Sequence, residues 1–114
     1  MTDTIAAVEA ILPVSRETGE RLERYVALLR KWQPAQNLVS PNTLGQIWTR
    51  HVADCAQLVA MFPDTRRWLD LGSGAGLPGL ITAILLADTE GAVVHYVEAN
   101  QRKCAFLRTV IRET

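Results

Sequence analysis

A short segment in which glycines follow an apolar run constrains the fold more than any other part of the sequence. Residues 67–71 read Arg-Trp-Leu-Asp-Leu, and Gly72, Gly74, Gly76 and Gly79 come directly after them. A strand that turns sharply into a helix needs glycines where φ is positive and where a ligand approaches the backbone. The N–H groups at the start of the helix then face that ligand. The segment therefore predicts a ligand-binding loop between a strand and a helix.

The sequence after this glycine loop predicts a second strand and two helices. Pro78 suits the first turn of a helix that reaches about Leu86, because a proline there removes no needed hydrogen bond. Residues 92–97 are rich in β-branched side chains and predict a strand, and a last helix begins near Asn100. Four side chains are expected on one face of that helix: Cys104, Leu107, Val110 and Ile111. This order predicts a parallel strand pair, so we expect residues 65–114 to form a βαβα portion of a Rossmann-like α/β domain.

The residues before the strand predict a separate helical region over residues 1–64. Apolar residues at three- and four-residue spacing predict helices over residues 4–12, 15–33 and 43–61. The second helix is expected to bury one stripe of side chains: Leu22, Tyr25, Val26, Leu29 and Trp32. The third is expected to place another set on a shared face: Ile47, His51, Cys55, Leu58 and Val59.

Composition and charge argue against several classes of protein. Of the 114 residues 48% are hydrophobic, and 12 Lys and Arg balance 12 Asp and Glu, which argues against a polycation that coats nucleic acid. No apolar run approaches the roughly 20 residues of a membrane span, so no membrane partner is expected. Cys55 and Cys104 lie in apolar segments without a CxxC or Cys/His cluster. This pattern predicts reduced thiols, no metal site and a cytoplasmic location.

Two ligands suit the glycine loop. The segment from Gly74 to Gly79 satisfies the dinucleotide fingerprint G-x-G-x-x-G, and Glu98 can hold a ribose of either a dinucleotide or S-adenosyl-L-methionine. Asp70 extends the pattern to D-x-G-x-G-x-G. A carboxylate there suits the cationic methionyl end of S-adenosyl-L-methionine, whereas it would repel a pyrophosphate. We therefore favour S-adenosyl-L-methionine, and an NAD(P)-binding Rossmann oxidoreductase is the alternative.

The sequence of residues 69–80, Leu-Asp-Leu-Gly-Ser-Gly-Ala-Gly-Leu-Pro-Gly-Leu, resembles the first motif of a known family. This is the family of small-subunit (16S) ribosomal RNA guanine-N7 methyltransferases, also called glucose-inhibited division protein B. Three further segments are similar to it: Lys31-Trp32 with Asn37-Leu38, Arg50-His51 with Asp54-Cys55, and residues 98–107. Gln33 departs from the family, which usually has Asn there. The resemblance runs from about Tyr25 to the end of the chain.

The resemblance implies a class I methyltransferase fold, the cofactor S-adenosyl-L-methionine, and methylation of guanine N7 in small-subunit ribosomal RNA or the small ribosomal subunit. It implies cofactor contacts from Gly72 to Leu77 and a ribose contact at Glu98. With Asp70, the predicted cofactor-binding residues are Asp70, Gly72, Ser73, Gly74, Ala75, Gly76, Leu77 and Glu98. Arg50 and His51 are predicted to contact RNA. The alternative is that His51 packs against the loop and that Asp54 pairs with Arg50 or acts as a cap. No catalytic base is nominated, because guanine N7 carries a free lone pair.

Two strands are fewer than a parallel sheet normally has, so an incomplete sheet is expected. Its strand edges would stay exposed, which favours self-association. The chain ends at Thr114 without a stop signal for the last helix, and the family continues further. A third possibility is therefore an inactive, truncated module that binds cofactor or associates with itself.

Overall fold

The computed structural model describes residues 3–72 and 75–114, so the predicted site residues Ser73 and Gly74 lie outside the described part of the chain. The elements are α1 (Ala6–Glu9), α2 (Arg16–Trp32), α3 (Ala53–Met61), β1 (Arg67–Leu71), α4 (Gly79–Leu85), β2 (Val93–Val97) and α5 (Gln101–Glu113). A 3₁₀ segment (Pro41–Gln46) and a π-helical segment (Ile47–Val52) precede α3. The predicted order of N-terminal helices followed by a parallel βαβα unit is confirmed.

The helix α2 forms where the sequence predicts it. Ser15 has an extended backbone, and its hydroxyl accepts a hydrogen bond from the Thr18 N–H at 3.1 Å, so it caps the first turn. The predicted stripe is buried except at Trp32, which is half-buried. In contrast, α1 is shorter than the predicted helix over residues 4–12. Beyond Glu9 the chain continues in turns, in which the N–H groups of Ile11 and Leu12 both donate to the Val8 carbonyl.

The third predicted helix is not a uniform α-helix. Each turn of the π-helical segment holds more residues than an α-turn, so the spacing of buried side chains along it differs from that of an α-helix. The buried side chains are therefore Ile47, Trp48, Val52, Ala53, Cys55 and Ala56. Of the side chains predicted to share a face, Ile47 and Cys55 are buried, and His51, Leu58 and Val59 are half-buried.

Asp3 fixes the start of the π-helical segment from a distant part of the chain. Its carboxylate accepts hydrogen bonds from the backbone N–H groups of Trp48 (3.1 Å) and Thr49 (2.8 Å). The first N–H groups of a helix have no partner within the helix, so a carboxylate there stabilises it. The N-terminus is thereby tied to the segment that carries Arg50 and His51.

The core joins α2 to α5 through an aromatic cluster. Phe106 is fully buried, and its ring lies 6.2 Å from the ring of Tyr25 and 5.7 Å, edge to face, from that of Trp32. The predicted face of the last helix included Leu107 and Val110 correctly, but it omitted Phe106. Phe106, Leu107 and Val110 form the buried stripe, whereas Ile111 is 55% exposed and Cys104 is half-buried.

The sheet has two parallel strands in the described part of the chain. The register runs from Arg67 opposite Val93 to Leu71 opposite Val97. Asp70 and Tyr96 lie opposite each other on the face that α4 covers. The other face exposes apolar side chains: Leu69 (63%), Leu71 (71%), Val93 (43%) and Val97 (53%). Parallel sheets normally have both faces covered, so the predicted incompleteness of the sheet is confirmed.

One continuous core crosses the predicted boundary between residues 64 and 65. Buried side chains of α2, of the π-helical segment, of α4 and of α5 belong to the same cluster. The division into 1–64 and 65–114 stays a prediction. Across residues 3–72 and 75–114, no helix is both long enough and apolar enough to cross a membrane.

Replacing Phe106 by Ala should remove the link between α2 and α5. Loss of a buried phenyl ring costs about 3–5 kcal/mol in the free energy of unfolding, because its apolar contacts are lost and a cavity remains. Urea denaturation followed by circular dichroism measures this loss. In the control Ile111→Ala, an exposed residue of the same helix changes, and the free energy should stay within about 0.5 kcal/mol. Equal losses in both variants would contradict the described core.

Candidate functional site

The carboxyl ends of β1 and β2 meet at the start of the glycine loop. The Gly72 N–H donates to the Val97 carbonyl at 2.7 Å, and Glu98 follows directly in the chain. Gly72 has φ +70°, and a Cβ atom there would meet nothing within 4 Å. The positive φ thus favours glycine while the space beside it is open. The predicted residues Gly72 and Glu98 therefore lie near each other at this edge of the sheet.

Glu98 and Cys104 shape the turn into α5. The Glu98 carboxylate accepts a hydrogen bond from the Asn100 N–H at 3.0 Å, and the Cys104 thiol donates to the Glu98 carbonyl at 3.2 Å. Asn100 then caps α5, because its side-chain oxygen accepts from the N–H groups of Arg102 (3.0 Å) and Lys103 (3.2 Å). These bonds set the position of Glu98 beyond the end of β2.

Asp70 holds the two ends of the glycine loop together. It is 8% exposed, and its Oδ2 accepts a hydrogen bond from the N–H of Gly79, the first residue of α4, at 3.0 Å. A Cβ atom at Gly79 would lie 2.5 Å from this oxygen and 2.7 Å from Tyr96 Cε1, so a larger residue does not fit. Burial, together with the charge of Asp70, raises the pKa of Tyr96 to about 12. The carboxylate thus sits directly at the start of α4.

Tyr25 of α2 contacts the middle of the loop. Its hydroxyl donates to the Ala75 carbonyl at 2.6 Å, and both residues are buried. Burial raises the pKa of Tyr25 well above its ordinary value of 10, so the hydroxyl keeps the proton that it donates. The sequence placed Tyr25 on a buried stripe but gave no signal for this contact, which joins residues that are far apart in the chain.

The end of the loop leads into α4. Gly76 has φ +83°, which favours glycine, and the Leu77–Pro78 peptide bond is cis. Pro78 is the residue before α4 rather than part of its first turn, so the predicted start was one residue early. Leu77 is half-buried, and it belongs to the wall of a cavity.

This cavity, which we call the α3 cavity, has a volume of about 370 Å³ and is open to solvent. It is lined by Arg50, His51, Asp54, Cys55, Gln57, Leu58, Met61, Leu77 and Pro78. The structure therefore brings the two predicted RNA-binding residues, Arg50 and His51, next to the loop residue Leu77. Within the described residues the Arg50 guanidinium donates to Gln46 Oε1 at 3.0 Å and makes no ion pair with Asp54. The alternative in which Asp54 pairs with Arg50 is therefore wrong.

His51 is held by a short hydrogen-bond chain. Its Nε2 lies 2.8 Å from Thr43 Oγ1, which also lies 2.9 Å from the Ser40 carbonyl. Because the single hydroxyl proton goes to the carbonyl, we assign a proton to Nε2, which donates to Thr43. Burial lowers the pKa of His51; the charge of Arg50 lowers it further, against the opposing charges of Asp54 and Asp3. His51 is therefore neutral at pH 7.

Cys55 is a structural residue of the cavity wall. Burial, with the charges of Asp54 and Asp70, raises the pKa of its thiol to about 12, so the thiolate needed of a nucleophile is scarce at pH 7. Both cysteines are free. No cluster of His, Cys, Asp and Glu in the described ranges, 3–72 and 75–114, is suited to hold a metal ion.

Replacing Tyr25 by Phe should loosen the glycine loop. The buried Ala75 carbonyl loses its partner, which costs about 1–3 kcal/mol in the free energy of unfolding. Urea denaturation measures this loss, and hydrogen exchange should show faster exchange at the backbone N–H groups of residues 75–77 and of Gly79. In the control Tyr96→Phe the lost bond is longer, 3.3 Å to the Gly79 carbonyl, and only half-buried, so the loss should be smaller. A loop that exchanges at the wild-type rate in Tyr25→Phe would disprove the anchoring role.

His51 should titrate below its ordinary pKa of about 6.5. Because the pKa is lowered in the folded state, the unfolded state binds more protons as the pH falls. The contribution of His51 to the free energy of unfolding is therefore fully present above about pH 6.5 and decreases below it. NMR titration of the His51 ring protons gives the midpoint directly. His51→Gln should flatten the dependence of unfolding free energy on pH between about 7 and 5. A midpoint at or above 6.5 would contradict the burial described here.

The family model and the similar proteins that match this chain carry the same description. Residues 18–114 match the model of the family described as rRNA small subunit methyltransferase G. The chain is 57% identical over 112 residues to the ribosomal RNA small subunit methyltransferase G of Bradyrhizobium diazoefficiens. The aligned region covers 98% of this chain and 43% of that protein. It is 55% identical over 103 residues to the protein of that name from Rhizobium johnstonii, covering 90% of the chain and 50% of the relative. The chain thus spans about half the length of these relatives.

Proposed function

Because the chain belongs to the rRNA small subunit methyltransferase G family, we propose that it acts in S-adenosyl-L-methionine-dependent methylation of guanine N7 in small-subunit ribosomal RNA. Its βαβα unit is part of a class I methyltransferase α/β fold. The observation that carries the proposal is the meeting of Gly72, Glu98 and Asp70 at one edge of the sheet. Ligands of open α/β sheets bind at this edge, outside the carboxyl ends of the strands.

The described residues fit S-adenosyl-L-methionine. Open space lies beside Gly72, and the carboxylate of Glu98, one residue beyond β2, is suited to accept hydrogen bonds from two ribose hydroxyls. Asp70, Ala75, Gly76 and Leu77 form the rest of the described loop. We keep Ser73 and Gly74, outside the described residues, among the proposed cofactor contacts. When bound, the cofactor supplies a methyl group on a positively charged sulfur.

The position of Asp70 disfavours the oxidoreductase alternative. In dinucleotide-binding folds the pyrophosphate lies at the N-terminus of the helix after the glycine loop. Here the Asp70 carboxylate already accepts the Gly79 N–H at that helix start. A diphosphate would meet a buried negative charge, and like charges in a protein interior repel strongly. A cationic ligand is attracted by the same charge.

The proposed reaction needs no general base from the protein. Guanine N7 attacks through its own lone pair, so no proton has to be removed first. Rate enhancement then comes from holding the two reactants close and in line. The glycine loop, which is held by hydrogen bonds to Tyr25 and Asp70, would position one of these reactants, the cofactor.

We propose Arg50 and His51 as contacts to RNA. Arg50 is exposed at the α3 cavity and is suited to a phosphate oxygen, which is the commonest target of basic side chains on nucleic acids. His51, neutral at pH 7, lines the same cavity as a hydrogen-bonding group. The partner is small-subunit ribosomal RNA or the small ribosomal subunit, and the location is the cytoplasm. Self-association through the strand edges stays a separate prediction.

Calorimetric titration of the chain tests the cofactor proposal. S-adenosyl-L-methionine and S-adenosylhomocysteine should bind, and NADH should not. Glu98→Gln should weaken binding of the first two by about ten- to hundredfold, because a charge-assisted bond to the ribose is worth roughly 1.5–3 kcal/mol. The matched control is Glu90→Gln, an exposed residue of the turn before β2, which should leave the affinity unchanged. Binding of NADH alone would overturn the methyltransferase proposal.

A further inference from the structure

The α3 cavity has two chemically different walls. Arg50, Asp54 and Gln57 follow one another at helical spacing along the π-helical segment and α3, and they form what we call the α3 stripe. All three are exposed. Leu77 and Pro78, at the end of the glycine loop, form the facing wall. A polar stripe thus faces the segment that borders the proposed cofactor site.

We propose that the α3 cavity holds the target base and that Asp54 recognises the Watson–Crick edge of guanine. This inference rests on the proposed function, because it assumes that the reacting atom is N7. A base that points N7 towards the glycine loop points its N1 and N2 atoms away from it, towards the α3 stripe. Recognition and methylation then use opposite edges of the same base.

The chemistry of the stripe matches guanine. Guanine offers two adjacent donors, N1–H and N2–H, and a carboxylate accepts both in a bidentate pair. Adenine offers one donor and one acceptor at the corresponding edge, so the N1 lone pair would face the negative charge of Asp54. The side-chain amide of Gln57 is suited to donate to O6. The stripe therefore distinguishes guanine from adenine by charge and by hydrogen-bond direction.

The size and apolar lining of the cavity suit a planar base. Its volume of about 370 Å³ lies within the range of roughly 300–1,000 Å³ that is usual for small-molecule sites. Leu58 and Met61 add apolar surface, and Met61 is 67% exposed although it is large and hydrophobic. A base removed from its stack needs such surface for its faces. Arg50 is then left to contact the attached phosphate.

NMR titration of the isotope-labelled chain with guanosine 5′-monophosphate tests this inference. Adenosine 5′-monophosphate and inorganic phosphate serve as further probes, because they separate base recognition from phosphate binding at Arg50. We expect guanosine monophosphate to shift the resonances of Asp54, Gln57 and Leu77 and to bind at least about fivefold more tightly than adenosine monophosphate. Asp54→Asn should abolish this preference. The matched control Asp64→Asn removes the same charge from an exposed turn outside the cavity and should retain it.

Equal affinities for the two nucleotides in the wild type, or a preference that survives in Asp54→Asn, would overturn the inference. So would shifts confined to residues outside the α3 cavity. Titration with S-adenosylhomocysteine keeps this result apart from the proposed function. If this ligand shifts Gly72 and Glu98 while the nucleotides show no preference, the cofactor proposal stands and the base assignment fails. If it shifts the α3 stripe instead and displaces guanosine monophosphate, the base assignment also fails.

Discussion

The hydrogen bond from the Gly79 N–H to the Asp70 carboxylate is the contact on which the rest of the site depends. It closes the glycine loop by joining the end of β1 to the start of α4, in a space that only glycine leaves free. Tyr25 holds the middle of the same loop by its bond to the Ala75 carbonyl. Two buried hydrogen bonds therefore hold the described part of the loop at Ala75 and at Gly79.

This anchoring depends on the packing of the N-terminal helices against the α/β portion. Tyr25 reaches the loop only because α2 lies against α4 and α5, and the contact of Phe106 with Tyr25 and Trp32 holds it there. The same helices place the α3 cavity beside Leu77 and Pro78. One face of the sheet is covered by this packing, while the other exposes Leu69 and Leu71 to solvent. The site thus lies at the border of the covered face.

The sequence predicted those parts of the structure that local patterns determine. The bounds of β1 match the predicted residues 67–71, because glycines end the apolar run, and Gly72 and Glu98 come together because parallel strands end at the same edge. The π-helical segment was missed because one extra residue per turn rotates a face without changing the composition. The contact of Tyr25 with Ala75 and the approach of Leu77 and Pro78 to the α3 cavity depend on tertiary packing. Periodicity within one helix carries no information about such contacts.

A crystal structure of the chain with S-adenosylhomocysteine would show whether the anchored loop and the end of β2 form one cofactor site. We expect the homocysteine end to lie over residues 72–77, with its amino group on the side of Asp70. We also expect the two ribose hydroxyls to donate to the Glu98 carboxylate. A ligand bound elsewhere, or one bound at the loop with its ribose directed away from Glu98, would show that these residues do not form the cofactor site.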